Sequence, residues 1–392
     1  MSSTESVLER MQRWSLAMGA AALALCAWGA YSNVQQFLRS YLLAYIFWSG
    51  VALGCLAVLM LYHLVGGGWG VLIRRMLEAG TRTLPLVALL IVPVLAGIPH
   101  LYSWAHPEVV ALDDHLRHKS AYLNVPFFLI RTVVYFAVWV GLTFFLNRWS
   151  SEQDRGGSPL LERRLRNLSG PGLVLFVVTV TFASLDWVMS LEPDWYSTIY
   201  SALFMVGQVL SALAFVLALL GLLASRSALG EVLSARYLRD LGNLLLTFVI
   251  LWAYMAFSQF LIIWAGNLSE EIPWYIRRIK GGWEWIAGLV IVFHFALPFL
   301  LLLSREVKHR VRVLAGLAAA LLVARLVCGF WMVAPAFGEA APRFHWLDWV
   351  APIGIGGIWV AAFAWQLKRR PLLPLHDPNL RELFQSAGGA SH

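Results

Sequence analysis

The sequence predicts an all-α integral membrane protein of about ten transmembrane helices, and three observations predict it. Of the 392 residues 59% are hydrophobic and only 13% charged, whereas a soluble domain carries roughly 25% charged residues. Mean hydropathy is +0.69. Ten apolar stretches each approach the roughly 20 residues that cross a hydrocarbon core as a helix. The stretches are continuous, without the in–out alternation over about ten residues that marks a barrel strand. This composition excludes a soluble enzyme, a nucleic-acid-binding domain and a disordered scaffold.

The spans are expected at 14–32, 41–65, 84–105, 122–146, 171–191, 197–224, 243–266, 283–304, 313–335 and 349–367. Span 1 follows Arg10 and Arg13 and opens at Trp14. It has the outline of a signal peptide, but Leu23-Ala24-Leu25-Cys26 lacks the small residue that a lipobox needs before its cysteine, and the run is read as a helix. Span 2 opens at Tyr41, span 3 closes at Trp104, and span 4 opens at Tyr122 with Trp149 just beyond it. Trp195 and Tyr196 separate spans 5 and 6, Trp283 and Trp285 open span 8, and Trp349 opens span 10. Tryptophan and tyrosine collect at such positions because their rings are apolar and their tips polar. Spans 2–5 (41–191) and 6–9 (197–335) form two candidate four-helix bundles. Spans 1 and 10 flank them, and 368–392 forms a tail.

The charges give the orientation. Of the 30 Lys and Arg residues, 21 fall on the side of the N terminus, 7 on the other, and Arg131 and Arg325 lie inside spans. The bias places both termini in the cytoplasm. The net charge of +8 is therefore mostly topological, with some attraction to anionic lipid. Cys26, Cys55 and Cys328 sit in apolar runs without a shared short spacing, so neither a disulfide framework nor a metal site is built from them. His63, His100 and His294 lie at unmatched depths, which rejects a membrane haem with two histidine ligands. Asn267-Leu268-Ser269 fits a glycosylation sequon, a weak signal.

An ionisable side chain at mid-bilayer costs about 2.5–3.5 kcal/mol on insertion scales, so each one needs a partner or a purpose. His100, Asp186 and Arg131 are expected at similar depth, roughly 7–14 Å below the outer surface at 1.5 Å per residue. Such a group can hold a proton or hydrogen-bond a quinone carbonyl; it can equally be an ion pair that ties spans 4 and 5 together. Thr179, Ala183, Asp186 and Ser190 share one face of span 5. In the second bundle His294 and Arg325 lie in mid-span, with Glu284 near the outer mouth. Pro298 removes the hydrogen bond that the His294 carbonyl would accept. Gln208, Ser211, Tyr254, Ser258 and Gln259 are further members of a hydrated path. Asp113, Asp114, His115 and His118 form an outer-loop cluster, read as a solvated acidic loop rather than a metal site.

Two runs are distinctive: Ser184-Leu185-Asp186-Trp187-Val188-Met189-Ser190-Leu191-Glu192-Pro193-Asp194-Trp195-Tyr196-Ser197-Thr198-Ile199-Tyr200, and the stretch from Trp252-Ala253-Tyr254 through Trp264-Ala265-Gly266-Asn267-Leu268. With Glu270-Glu271-Ile272-Pro273-Trp274-Tyr275, Gly281-Gly282-Trp283 and the tail Pro374-Leu375-His376-Asp377-Pro378, they resemble the second large membrane subunit (ActF-type) of bacterial alternative complex III. That complex is a quinol:cytochrome c oxidoreductase, and the subunit belongs to the NrfD/polysulfide-reductase membrane-subunit superfamily. The resemblance covers about 170–380. It implies an inner-membrane protein without a redox metal of its own, in contact with quinone or quinol. It also implies as partners a paralogous NrfD-like membrane subunit, an iron–sulfur protein, haem-c subunits, lipid and a terminal oxidase. Haem c and the iron–sulfur clusters would reside in those partners. Asp186 lies inside a matching run, while His100 and Arg131 rest on depth alone.

The function expected is thus that of a non-redox membrane subunit of a quinol-oxidising respiratory complex. It would anchor redox partners and contribute a quinone contact or a proton path through Asp186, Arg131, His100, His294, Arg325 and Glu284. The rival is a secondary transporter with a buried Asp/Arg/His site. Against it, the kinks at Pro93 and Pro298 lack glycine-rich unwound segments.

Overall fold

The computed structural model describes residues 3–224, 230, 233–338, 341–374, 376–377 and 379–380, with side chains from residue 5 onward. Of the expected tail 368–392, residues 375, 378 and 381–392 lie outside the described residues. Every element among those described is helical. Ten helices are long and apolar enough to cross a membrane: α1 (Glu5–Ser32), α2 (Val34–Val65), α3 (Gly68–Ala96), α4 (Val125–Arg155), α5 (Pro159–Leu191), α6 (Thr198–Ala224), α7 (Ala235–Gly266), α8 (Trp283–Leu303), α9 (Val311–Phe337) and α10 (Leu347–Leu367).

Side-chain caps start several of them. Asn33 Oδ1 accepts from Gln36 N–H at 3.0 Å, and Asn124 Oδ1 accepts from Phe127 N–H at 2.9 Å. Each satisfies a helix donor that has no carbonyl partner within its own helix. Asn267 ends α7 in the left-handed conformation (φ 49°), so the sequon asparagine is a helix cap.

Helices α2, α3, α4 and α5 pack as a closed four-helix ring, each touching the next, and α6, α7, α8 and α9 form a second. The rings meet where α2 and α5 lie against α6. A Cβ on Gly54 would stand 2.2 Å from the Gln208 carbonyl oxygen, so glycine is what lets the two backbones approach this closely. Helices α1 and α10 pair with each other and cover α2. Helix α2 thus contacts both rings and the flanking pair, and nearly its whole middle is buried. With ten crossings, both termini lie on one face, termed here the terminal face.

The helices overrun the apolar stretches. Span 3, expected to begin at 84, starts at Gly68, and Gly68–Thr81 is almost entirely buried. Span 4 continues to Arg155 and span 5 begins at Pro159, so the expected loop 147–170 is two helix ends joined by a three-residue turn. Hydropathy marks the segment in hydrocarbon, whereas a helix keeps its own hydrogen bonds and continues into water or headgroups without penalty. The far end of span 3 corrects in the other sense. Pro85, Pro93 and Pro99 each stand in the first turn of a new short helix (Leu84–Leu90, Val92–Ala96, Ile98–Leu101), because proline supplies no N–H to the preceding turn.

In α8 residues Val290–Ala296 are π-helical, and the Leu297 N–H donates to the Val292 carbonyl, five residues back. Pro298 follows. Its ring would collide with the His294 carbonyl in a regular α-helix, and the wider turn accommodates it.

Candidate functional site

Toward the face opposite the termini, Asp186 ends the regular part of α5 and is fully buried. Arg131 of α4 grips it with two nitrogens, Nε to Oδ2 at 2.9 Å and Nη2 to Oδ1 at 2.8 Å. The Tyr135 hydroxyl donates to Oδ2 at 2.6 Å. Arg131 Nη1 donates to the Tyr122 carbonyl at 2.9 Å, and the guanidinium carbon lies 3.8 Å from the centre of the Tyr122 ring and 4.3 Å from that of Phe127. Burial first, and the Asp186 charge next, hold the Tyr122 hydroxyl above the ordinary phenol range. A carboxylate bound by a forked guanidinium and a phenol has the partners that desolvation demands.

His100 is not part of this site. It is exposed and makes no hydrogen bond to either side chain. Depth along the chain placed it beside Asp186, but the breaks at Ile91 and Gly97 turn the last segment of span 3, and direction around a helix does not follow from depth. Tyr102, two residues on, faces inward instead. It is buried and its hydroxyl donates to the Trp187 carbonyl at 3.0 Å.

From Arg131 a stripe of buried polar and amphipathic side chains runs along one face of α4: Tyr135, Trp139, Thr143, Asn147 and Ser150. Spacings of four and three residues keep them on one side. Nineteen residues of helix rise make the stripe about 29 Å long, close to the hydrocarbon thickness. Trp139 Nε1 donates to Thr179 Oγ1 at 2.8 Å, which assigns a partner to the first member of the polar face on α5. Asn147 Nδ2 donates to Thr81 Oγ1 at 2.9 Å, and Ser150 Oγ donates to Glu78 Oε1 at 2.6 Å. Thr143 Oγ1 is buried without a partner, and there the stripe is interrupted.

The stripe ends in a charge network at the terminal face. Glu78 receives Arg74 Nε at 2.9 Å, Arg75 Nη1 at 2.7 Å and Arg370 Nη1 at 3.4 Å. Arg75 also pairs with Asp154. Arg74 Nη1 reaches Asp377 Oδ2 at 2.6 Å, and the Tyr62 hydroxyl donates to the same oxygen at 2.5 Å. Burial alone would raise the Asp377 carboxyl, but Arg74 and the Tyr62 hydrogen bond hold it below the ordinary carboxylate range. Burial pushes the Arg370 guanidinium down. Arg74, Arg75 and Arg370 thus face Glu78, Asp154 and Asp377, and Arg82, whose Nε donates to Asn147 Oδ1 at 2.7 Å, adds a fourth cation beside them. The pocket beside them, about 370 Å3, is lined by Tyr62, His63, Arg163 and Arg166 among others.

This network was not legible from hydropathy, which assigns Arg74 and Arg75 to a loop. The available signal was the spacing, since Arg74 and Arg75 precede Glu78 by four and three residues, as ion pairs on one helix do. Of its members only Asp377 lies in a run that carried the resemblance.

In the second bundle His294 is fully buried and its ring stands 4.0 Å from that of Trp252, edge to face. Arg325 reaches His294 Nε2 at 3.4 Å, Ser211 Oγ at 3.3 Å and Cys328 Sγ at 3.5 Å. Guanidinium only donates, so Nε2 accepts and Nδ1 carries the proton; that Nδ1 is buried without a partner. Arg325 therefore contacts a hydroxyl, a thiol and an imidazole, and Gln208 lines the same cleft. Tyr254 is exposed, and Gln259 is buried away from this group.

Glu284 does not join His294. It is exposed, and its carboxylate accepts from the Gly282 N–H at 2.8 Å, holding the start of its own helix. Asp113 caps the short helix Asp114–Lys119, and His118 Nδ1 lies 2.7 Å from the Asp114 carbonyl. Among the described residues no group of three or more potential metal ligands gathers. No protein-family model and no curated protein matches the sequence.

Proposed function

We propose that the chain is a non-redox membrane subunit of a quinol-oxidising respiratory complex of the bacterial inner membrane, and that its first bundle conducts protons. The observation that carries this reading is the buried polar stripe of α4, which links the Asp186–Arg131 pair to the Glu78–Asp377 network across about one bilayer thickness. Intramembrane ionisable groups with named partners at both ends of such a stripe are the usual elements of a proton relay.

Asp186 is the proton acceptor and donor in this scheme. Arg131 holds its charge while the pair is closed, and parting of the fork lets the carboxylate take up a proton. Tyr135, already hydrogen-bonded to Asp186, is the next group along α4. Trp139 only donates and its N–H is taken by Thr179, so passage beyond it requires water, for which the unpartnered Thr143 hydroxyl is the available contact. Glu78 and Asp377 then exchange with the terminal face. Three donors already fill the Asp186 carboxylate, which favours proton exchange over direct contact with quinone there. Oxidation of a bound quinol would release the protons and electrons. The electrons belong to haem-c and iron–sulfur partners, the resemblance being what implies them.

Asp186→Asn tests the path. The assembled complex is expected to keep its subunits and lose at least tenfold in quinol-driven proton movement across liposomes; undiminished movement reduces Asp186 to a packing residue. The assembly claim has its own test, affinity isolation of the tagged chain from native membranes in mild detergent. Haem-c absorbance with an iron–sulfur subunit supports it, and a colourless solitary protein overturns it.

A further inference from the structure

The Arg325 guanidinium poses a problem that the proton path does not answer. It lies in the membrane interior, and among the described residues no carboxylate pairs with it. Its contacts are Ser211, Cys328 and His294, none of which carries a negative charge in its ordinary form near neutral pH. A charge in low dielectric without a counter-charge is costly.

Arg325 and Gln208 line a cleft between the two bundles, walled by Leu43, Phe47, Phe204 and Met332. Its free volume is about 30 Å3, close to one water molecule's share of the liquid. That is room for a water or a halide ion, and too little for an aromatic ring. Gln208 Oε1 is buried without a partner, and its amide carries an NH2 donor beside that acceptor. A second groove shares Leu43 and Val333 with this cleft and is lined by Arg39, Arg343 and Asp348. Among the described residues there, Asp348 accepts from the Ser40 hydroxyl at 2.5 Å, from Gln36 and from the His345 N–H. The cation at the floor of the cleft favours one sign of small solute.

We propose that the cleft between the bundles is a binding site for a small monovalent anion of halide size, with Arg325 as its counter-charge and Gln208 as a second donor. The site is independent of the proton stripe. Gly207 keeps the guanidinium in place, since a Cβ there would stand 2.3 Å from Arg325 Nη2.

The test uses the full chain in detergent, with thermal unfolding followed in sodium chloride or bromide against sodium gluconate at equal ionic strength. Ligand that binds only the folded state raises its midpoint, and above Kd the gain grows with the logarithm of ligand concentration. The wild type is expected to gain several degrees in halide, rising with the logarithm of its concentration, and Arg325→Gln to gain nothing. If Arg325→Gln does not fold, Gly207→Ala is the second variant, and it should raise at least severalfold the halide concentration needed for a given gain in midpoint. Identical wild-type midpoints in halide and gluconate overturn the proposal and leave a water in the cleft. A halide effect that persists in Arg325→Gln also overturns it, placing the anion elsewhere on the protein.

Discussion

The Arg131–Asp186 pair shows how little a buried ion pair says about net stability until one partner is removed. Neutralising both ends can be nearly free, whereas removing one strands a charge at a cost of about 3–5 kcal/mol. Arg131→Met alone is therefore expected to lower stability more than Arg131→Met with Asp186→Asn, with thermal midpoints in detergent as the measurement. Equal losses would mean that the two side chains do not hold each other. At the other end of the stripe Asp377 makes a pH-dependent contribution of known sign. Its native carboxyl titrates below its ordinary range because Arg74 and Tyr62 favour the charged form over the opposing effect of burial. The stability it supplies is complete above the unfolded value near 3.9 and is lost as pH falls through the lower native value. Asp377→Asn should cost about 2 kcal/mol at neutral pH, since it leaves a charge-assisted bond of Arg74 unmade, and should flatten the acid limb of the stability profile. An unchanged acid limb would assign it to other carboxylates.

Between elements, contact depends on which residues permit approach. Gly54 sits where α2 meets α6, and a side chain there collides with backbone rather than with a movable tip. Gly54→Val is expected to push the two bundles apart locally and lower the thermal midpoint by several degrees, while Gly141→Val, at a site with open space around its Cβ, should leave it within about a degree. Comparable losses in both would show that the bundle contact tolerates separation. The existence and order of the helices were legible in the sequence because a run of about 20 apolar residues has one low-energy form in lipid. Their ends were not, since Arg74, Arg75 and Glu78 read as loop polarity until their three- and four-residue spacing is set against the apolar residues between them. The meeting of Arg131 with Asp186 was legible from depth, because two opposite charges in hydrocarbon have few other resolutions. The displacement of His100 was not, because prolines Pro85, Pro93 and Pro99 reset the direction of the chain in ways that spacing does not carry. The π-helical turn at His294 lies between these cases: Pro298 announces a bend, and the local chain decides how it is absorbed.

At the scale of the whole molecule the distribution of charge is what the proposed orientation rests on. Arginine and lysine crowd the terminal face, and the hairpin between α4 and α5 alone carries Arg148, Arg155, Arg163, Arg164 and Arg166. Such loops stay on the cytoplasmic side during insertion. The opposite face carries Leu112, 90% exposed, in the short helix that follows α3. Cys26, Cys55 and Cys328 are all buried, so a cysteine added at the surface should dominate labelling by a membrane-impermeant maleimide. Leu112→Cys is expected to react in intact spheroplasts, and Arg164→Cys only after the membrane is permeabilised. The reverse pattern would invert the molecule. It would put the Glu78–Asp377 network on the outer side and Asp186 toward the cytoplasm, and the direction of the proposed proton path would reverse with it. Reaction of both positions in intact spheroplasts would break the even count of crossings on which the shared terminal face depends. The labelling result therefore decides which end of the α4 stripe takes up protons and which releases them, a matter that the side-chain geometry leaves symmetric.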